Sequence, residues 1–265
     1  MLTAILACVA VGCVAGFLAG LLGVGGGLVI VPALLFVFQQ IGVAPAHMQH
    51  LALGTSLATI VFTSISSLKA HHGRGAVRWS VFRAITPGIV IGTFVGAQLA
   101  GLLSTNALQW FFIIFAYTVA AQMLLDAKPK PNRQLPGVVG TSAMGGVIGV
   151  VSSWVGIGGG SLSVPFLVWH NVPVKEAIGT SAAIGLPIAL AGGLGYVVSG
   201  WGVAGLPAGS AGYVFLPALT GIVIASFPFA KLGAAAAHKL PVPVLKKCFA
   251  ALLILLATKM LVSLL

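Results

Sequence analysis

The sequence predicts an all-α protein that crosses a membrane several times and consists of two inverted repeats. Composition, the continuity of the apolar segments and an internal repeat lead to this prediction. Only 6% of the 265 residues are charged, against about 25% in soluble domains. Hydrophobic residues make up 59%, and the mean hydropathy is +1.14. Because these few charged residues cannot cover the surface of a soluble domain, the outer surface of the protein must face an apolar medium.

The apolar segments predict helices rather than the strands of a barrel. A lipid bilayer admits only these two forms, because every backbone polar group must find its partner inside the protein. Barrel strands alternate apolar and polar residues, whereas segments 102–125 and 248–265 are almost continuously apolar. At about 20 residues per crossing, the chain length predicts about 8–10 membrane segments.

A repeat relates the two halves of the chain. GFLAGLLGVGGGLVIVPAL at 16–34 matches GVVSSWVGIGGGSLSVPFL at 149–167, at an offset of 133 residues. A Gly-Thr-Ser follows each cluster, at 54–56 and at 179–181. Ordered matches of this kind indicate two copies of one structural unit.

The distribution of charge predicts that the copies are inverted. Four segments contain 12 of the 13 Lys and Arg residues: 69–83, 128–133, Lys175 and 231–247. The positive-inside rule places all four in the cytoplasm. Basic 69–83 corresponds in the repeat to the uncharged segment 200–212, so equivalent loops lie on opposite sides of the membrane.

Each half is then predicted to contain a glycine-broken helix pair and three full spans, with both termini outside. The repeats cover 1–125 and 137–265, and 126–136 is a cytoplasmic linker. The predicted spans are 48–68, 83–103 and 107–125 in the first half and 177–199, 213–233 and 244–264 in the second. The broken pairs are 2–22 with 28–40 and 137–155 with 161–170; whether they cross or re-enter the membrane stays open.

The glycine clusters have two interpretations. Glycines expose backbone N–H groups, and the helix that follows each cluster presents a partially positive N-terminus, which favours an anion. Alternatively, the glycines serve close helix packing. The first interpretation predicts a substrate site near the middle of the membrane. Its residues are Gly25, Gly26, Gly27, Thr55, Ser56, Gly158, Gly159, Gly160, Ser161, Thr180 and Ser181.

Ionisable residues narrow the chemistry. The two acidic residues, Asp126 and Glu176, fall in or beside predicted cytoplasmic loops, so the sequence offers no carboxylate proton relay inside a span. His47 and His50 are alternative proton carriers, although the second half has no equivalents. We expect no metal, no cofactor, no catalytic residues and no nucleic-acid partner.

These paired motifs resemble those of the sulfite exporter TauE/SafE family of bacterial membrane proteins. The resemblance rests on Gly20–Gly27 with Pro32, on Gly156–Gly160 with Pro165, and on the two Gly-Thr-Ser motifs. It implies a permease of the cytoplasmic membrane that exports sulfite, sulfoacetate or other organosulfonates.

The sequence therefore predicts a secondary transporter for a small anion that works by alternating access between the two glycine-rich breaks. An anion channel is the alternative, and a membrane enzyme or assembly factor is disfavoured because no nucleophile–base pair is visible. The expected partners are the anion and the lipid bilayer. Exact substrate, coupling ion and oligomeric state stay open.

Overall fold

The computed structural model describes residues 9–17, 26–125, 134–237 and 242–264, most of which are helical. In chain order the elements are α1 (9–17), α2 (Gly27–Gln40), α3 (Pro45–Gly73), α4 (Trp79–Leu102), α5 (Thr105–Leu124), α6 (Val138–Val155), α7 (Gly160–Trp169), α8 (Val174–Ser199), β1 (Ser210–Ala211), β2 (Val214–Phe215), α9 (Leu216–Ala237) and α10 (Val242–Val262). The predicted all-α membrane fold is confirmed, and each predicted full span coincides with one helix.

Five helices within the described ranges are long and apolar enough to cross a membrane, namely α3, α4, α5, α6 and α8. By contrast, α2 has 14 residues and α7 has 10. At 1.5 Å per residue these two helices extend only about 21 and 15 Å. Both are shorter than the roughly 30 Å hydrocarbon layer.

The two short helices begin in the same way. Gly26 caps α2 with φ 74° and ψ −13°, and Gly159 caps α7 with φ 78° and ψ −9°. This left-handed conformation suits glycine because it has no Cβ. Each helix contains a proline at its sixth position, Pro32 or Pro165. Both helices start one residue earlier than the sequence indicated.

Glycines bring α4 and α6 into close contact. A Cβ on Gly92 would overlap the backbone carbonyl of Gly146, and one on Gly96 would lie 2.8 Å from Cα of Val150. The repeat-related interface, between α1 and α9, is built similarly, since a Cβ on Gly12 would lie 2.7 Å from the carbonyl oxygen of Ile222. Close packing of small residues drives helix association in lipid, and it accounts for many of the glycines.

The central helices α3 and α8 run antiparallel across each other. Near the start of α3, a Cβ on Gly54 would lie 2.9 Å from Cβ of Tyr196. At the middle, a Cβ on Gly185 would lie 2.9 Å from the hydroxyl of Ser64. Contacts thus move forward along α3 and backward along α8, as an inverted pair of helices requires.

A β-hairpin precedes α9, which the sequence had placed in a loop and the start of a helix. Its strands β1 and β2 pair antiparallel, with Ser210 opposite Phe215. The Tyr213 N–H donates to the Tyr196 carbonyl at 3.0 Å, and the Phe215 N–H donates to the Thr55 hydroxyl at 3.0 Å. Because α3 and α8 supply these distant partners, the segment stays extended and α9 begins only at Leu216.

The outer surface of the bundle is apolar. Ile114 on α5 is 62% exposed, Ile224 on α9 is 74% exposed and Leu255 on α10 is 63% exposed. Exposed tryptophans lie at or near the ends of helices: Trp79, Trp110, Trp169 and Trp201. Such tryptophans are typical of the water–lipid interfaces.

Candidate functional site

The second glycine break, residues 156–160, lies where α3 and α8 cross. Gly156, with φ 72°, ends α6, and Gly160 begins α7. A Cβ on Gly158 would lie 3.2 Å from Cγ2 of Ile60 on α3 and 3.8 Å from Cα of Gly185 on α8. The backbone of this break is therefore held between the two central helices.

Gly27, at the end of the first glycine cluster, touches the second glycine break. A Cβ on Gly27 would overlap the carbonyl of Gly156 and lie 3.0 Å from Cα of Ile157. One turn later, Val31 packs on Gly156 from the same face of α2. Glycine is needed at position 27 for this close approach, so its described contact is one of packing.

The N-termini of α2 and α7 present backbone N–H groups without acceptors inside their own helices. The carbonyls of the capping residues, Gly26 and Gly159, accept the N–H groups three and four residues further on. The N–H groups of Gly160 and Ser161 come before the first residue that bonds within the helix, so they have no intrahelical acceptor. The N–H groups of Gly27 and Leu28 on α2 are in the same position. Gly160 and Ser161 are half-buried, whereas the first turn of α2 is fully buried.

Serine hydroxyls lie around the start of α7. The hydroxyls of Ser161 and Ser163 are buried and have no hydrogen-bond partner within the part of the chain that the structure describes. Ser161 is among the residues predicted for the substrate site, whereas Ser163 is not. The sequence does distinguish Ser163, because its equivalent in the first repeat is Ile30. The second repeat therefore has a hydroxyl where the first has an apolar side chain.

The two Gly-Thr pairs connect the halves of the protein. The Thr55 hydroxyl accepts the N–H of Phe215, just before α9, and the Thr180 hydroxyl accepts the N–H of Arg78 at 2.9 Å, just before α4. The preceding glycines let the chain approach, since a Cβ on Gly54 would overlap the Tyr213 carbonyl. A Cβ on Gly179 would overlap the Ala76 carbonyl in the same way.

Each threonine therefore anchors the segment that leads into a helix of the opposite half. An accepting hydroxyl keeps its own proton for donation. The assignment of Thr55 and Thr180 to the substrate site stays a prediction.

The serines of the two Gly-Thr-Ser motifs, Ser56 and Ser181, differ in their hydrogen bonds among the described residues. The Ser56 hydroxyl donates to the Gly156 carbonyl at 2.8 Å, which ties α3 to the second break. The Ser181 hydroxyl is buried, with no partner among the described residues. The repeat equivalent of Gly156 is Gly23, which lies outside the described residues, as does the predicted site residue Gly25.

His50 closes the end of α4. Its Nε2 lies 2.9 Å from the Ala100 carbonyl oxygen and 3.1 Å from that of Leu103, and its ring stacks on Tyr213 at 4.9 Å. Carbonyls in the last turn of a helix lack intrahelical donors. An Nε2–H of His50 donates a hydrogen bond to them instead. The described contacts of His50 are therefore structural, and its role as a proton carrier stays a hypothesis.

The described acidic residue lies at the periphery. Glu176 is in the first turn of α8, and its carboxylate lies 3.9 Å from the guanidinium of Arg78, with both side chains more than two-fifths exposed. An acid at this position interacts favourably with the helix dipole. Asp126 lies outside the described residues. Thus no carboxylate lies near the second break among the residues that the structure describes.

Comparison with known proteins relates the whole chain to one family of transporters. The model of the family described as sulfite exporter TauE/SafE matches residues 8–260. A probable membrane transporter protein of Haemophilus influenzae is 42% identical over 261 residues, 98% of this chain and 99% of the relative.

More distant relatives carry the same description. Probable membrane transporter protein YunE of Bacillus subtilis is 30% identical over 212 residues, 72% of this chain and 78% of the relative. A probable membrane transporter protein of Methanocaldococcus jannaschii is 28% identical, over 77% of this chain and 73% of the relative. No solved structure matches the chain.

Proposed function

The chain belongs to the sulfite exporter TauE/SafE family of membrane transporters, and from this premise we propose that it exports small anions. Its substrates are sulfur oxyanions or organosulfonates such as sulfite and sulfoacetate. The protein works as a secondary transporter in the bacterial cytoplasmic membrane. The substrate binds between the two glycine breaks and is released by alternating access.

One observation carries this proposal: the first N–H groups of α7, which have no acceptor within their own helix, follow a break that lies where the two central helices cross. The second break presents the first N–H groups of α7 beside unpartnered serine hydroxyls within the described chain. Such a group of donors, together with the helix dipole, binds anions. Because no described carboxylate lies nearby, the local field favours an anion over a cation.

The packing of the helices supports alternating access by two inverted repeats. The pairs α4–α6 and α9–α1 are both joined by glycines, and the two Gly-Thr pairs reach across to equivalent segments of opposite halves. Rocking of one repeat against the other around a central site is the usual motion of such transporters. Under the predicted topology, the C-terminal end of α2 lies on the outside and that of α7 lies in the cytoplasm.

The membrane potential supplies enough free energy for export without a coupling ion. One elementary charge that crosses 100 mV gains about 2.3 kcal/mol. At a potential of about 150 mV, inside negative, a monoanion gains about 3.5 kcal/mol, equivalent to a concentration ratio of several hundredfold. The scarcity of acidic residues, two in 265, agrees with such an uncoupled mechanism.

The test is substrate flux in proteoliposomes. We expect a potassium gradient with valinomycin to drive sulfite or sulfoacetate across the membrane, with no proton or sodium gradient imposed. A pulse of unlabelled substrate on the opposite side should accelerate labelled exchange, which distinguishes a carrier from a channel. Flux that ignores the potential and follows an imposed proton or sodium gradient would refute the uncoupled mechanism.

A further inference from the structure

We propose that the two glycine breaks are functionally unequal and that the second alone binds the anionic group of the substrate. Its ligands are the N-terminal N–H groups of α7 and the hydroxyls of Ser161 and Ser163. This inference rests on the proposed function and specifies which half of the site recognises the oxyanion.

The repeat itself shows the inequality. The second break is flanked by hydroxyl side chains, and the equivalent positions of the first half have none. At the offset of 133 residues, Ser152, Ser153, Ser161 and Ser163 correspond to Ala19, Gly20, Leu28 and Ile30. Two copies of one unit that differ in this way have different chemistry at equivalent places.

Ser163 is the residue that points most directly to a ligand. It is fully buried, and its hydroxyl lies 3.3 Å from the position that a Cβ on Gly159, the cap of α7, would occupy. Within the described chain the hydroxyl has no hydrogen-bond partner. Buried polar groups are nearly always bonded in native proteins, so a hydroxyl without a partner at a helix N-terminus indicates an acceptor that binds there.

The space around the two helix starts differs in the same sense. At the start of α7, Gly160, Ser161 and Leu162 are half-buried, whereas the first residues of α2 are fully buried. In addition, Gly27 lies directly against the Gly156 carbonyl. The start of α2 is therefore covered by its packing against the second break.

An oxyanion with several equivalent oxygens fits these donors. Each hydroxyl donates one hydrogen bond, and the backbone N–H groups of Gly160 and Ser161 donate two more. Sulfite and sulfonate groups present three oxygens that accept such bonds. Hydrogen bonds to a charged acceptor are about twice as strong as neutral ones, which predicts a large loss when one serine is removed.

The experiment measures sulfite binding by the purified full-length protein and its variants, by calorimetry and by thermal unfolding in detergent. In Ser163→Ala we expect the affinity for sulfite to fall by about tenfold or more. The ligand-free protein should unfold at the same or a higher temperature, because the alanine removes a buried hydroxyl that has no partner. Ser161→Ala should weaken binding as well.

Ser153→Ala is the matched control. This neighbouring serine is equally buried, but its hydroxyl donates to the Val150 carbonyl at 2.7 Å. Its substitution should leave the affinity unchanged within about twofold.

Wild-type affinity in both Ser161→Ala and Ser163→Ala would overturn this inference while the proposed function stood. Equal loss in the Ser153 control would also overturn it, since packing would then explain the effect. A wild-type protein that binds neither sulfite nor sulfoacetate would refute the proposed function itself.

Discussion

Replacement of Thr55 by valine tests the connection between the two halves of the protein. Valine has the shape of threonine but no hydroxyl, so the variant removes the acceptor of the Phe215 N–H and keeps the packing. Thr55 is 0% exposed and Phe215 is 7% exposed. Water therefore has no access to the N–H group that is left without a partner.

The expected loss follows from this burial. A buried donor that loses its partner costs about 1–3 kcal/mol. For a chain of about this size, 1 kcal/mol lowers the unfolding temperature by about 2–4 °C. We therefore expect Thr55→Val to unfold about 6 °C below wild type, within a range of about 2–12 °C.

Thr180→Val is the internal comparison, because Thr180 makes the equivalent bond to Arg78. Arg78 is exposed, and its bond to Thr180 is only partly buried. Water can therefore replace the lost acceptor, and we expect a loss below about 1 kcal/mol. Thr55→Ser, which retains a hydroxyl, should recover most of the stability that valine loses.

The assay is thermal unfolding of detergent-purified protein, with and without sulfite. If Thr55 only joins the two halves, its substitution lowers the unfolding temperature but leaves the sulfite-induced shift intact. If Thr55 also binds substrate, as the sequence predicted, that shift shrinks too. An unchanged unfolding temperature in Thr55→Val, or a larger loss in Thr180→Val, would refute the reasoning from burial.

Two further predictions concern topology and packing. In a variant without native cysteines, a membrane-impermeant thiol reagent applied to intact cells should label a cysteine at Ala208 but not one at Arg74. Both positions are exposed, but the positive-inside rule places 69–83 in the cytoplasm. Equal labelling of the two would contradict the inverted repeat. Gly92→Val should prevent α4 from packing on α6, since even its Cβ overlaps the Gly146 carbonyl, and should abolish monodisperse expression. Gly73→Ala, with nothing within 4 Å of the added Cβ, should behave as wild type, and a folded Gly92→Val protein would show that the interface yields.

Much of the fold was predictable because lipid restricts the choices. Apolar segments of about 20 residues can only become helices there, and the predicted spans accordingly coincide with the observed helices. The glycine breaks were also predictable, since Gly26 and Gly159 adopt the left-handed conformation that glycine favours. Spans and glycine breaks both depend on residues that are close together in the chain, so a short stretch of sequence is enough to predict them.

The roles within the site were less predictable. From the sequence, Thr55, Ser56 and Thr180 were predicted to line the substrate site together with the glycines. The structure gives each of them a distinct partner more than 90 residues away in the chain: Phe215, the Gly156 carbonyl and Arg78. Ser163 was missed although the repeat pairs it with Ile30, because the sequence does not show that its hydroxyl is buried and without a partner among the described residues.

From the sequence alone, the membrane fold and the positions of the two helix breaks could be predicted. Hydropathy is a property of the chain before it folds, and in a bilayer a long apolar segment forms a helical span. Which glycines pack against a neighbouring helix and which cap a helix is visible only in the folded protein. The tertiary structure also keeps the hairpin before α9 extended, and it leaves the start of α7 half-buried while the start of α2 is fully buried. A hydrogen bond or a close contact between residues far apart in the chain depends on where both partners lie in space. Hydropathy does not contain this information.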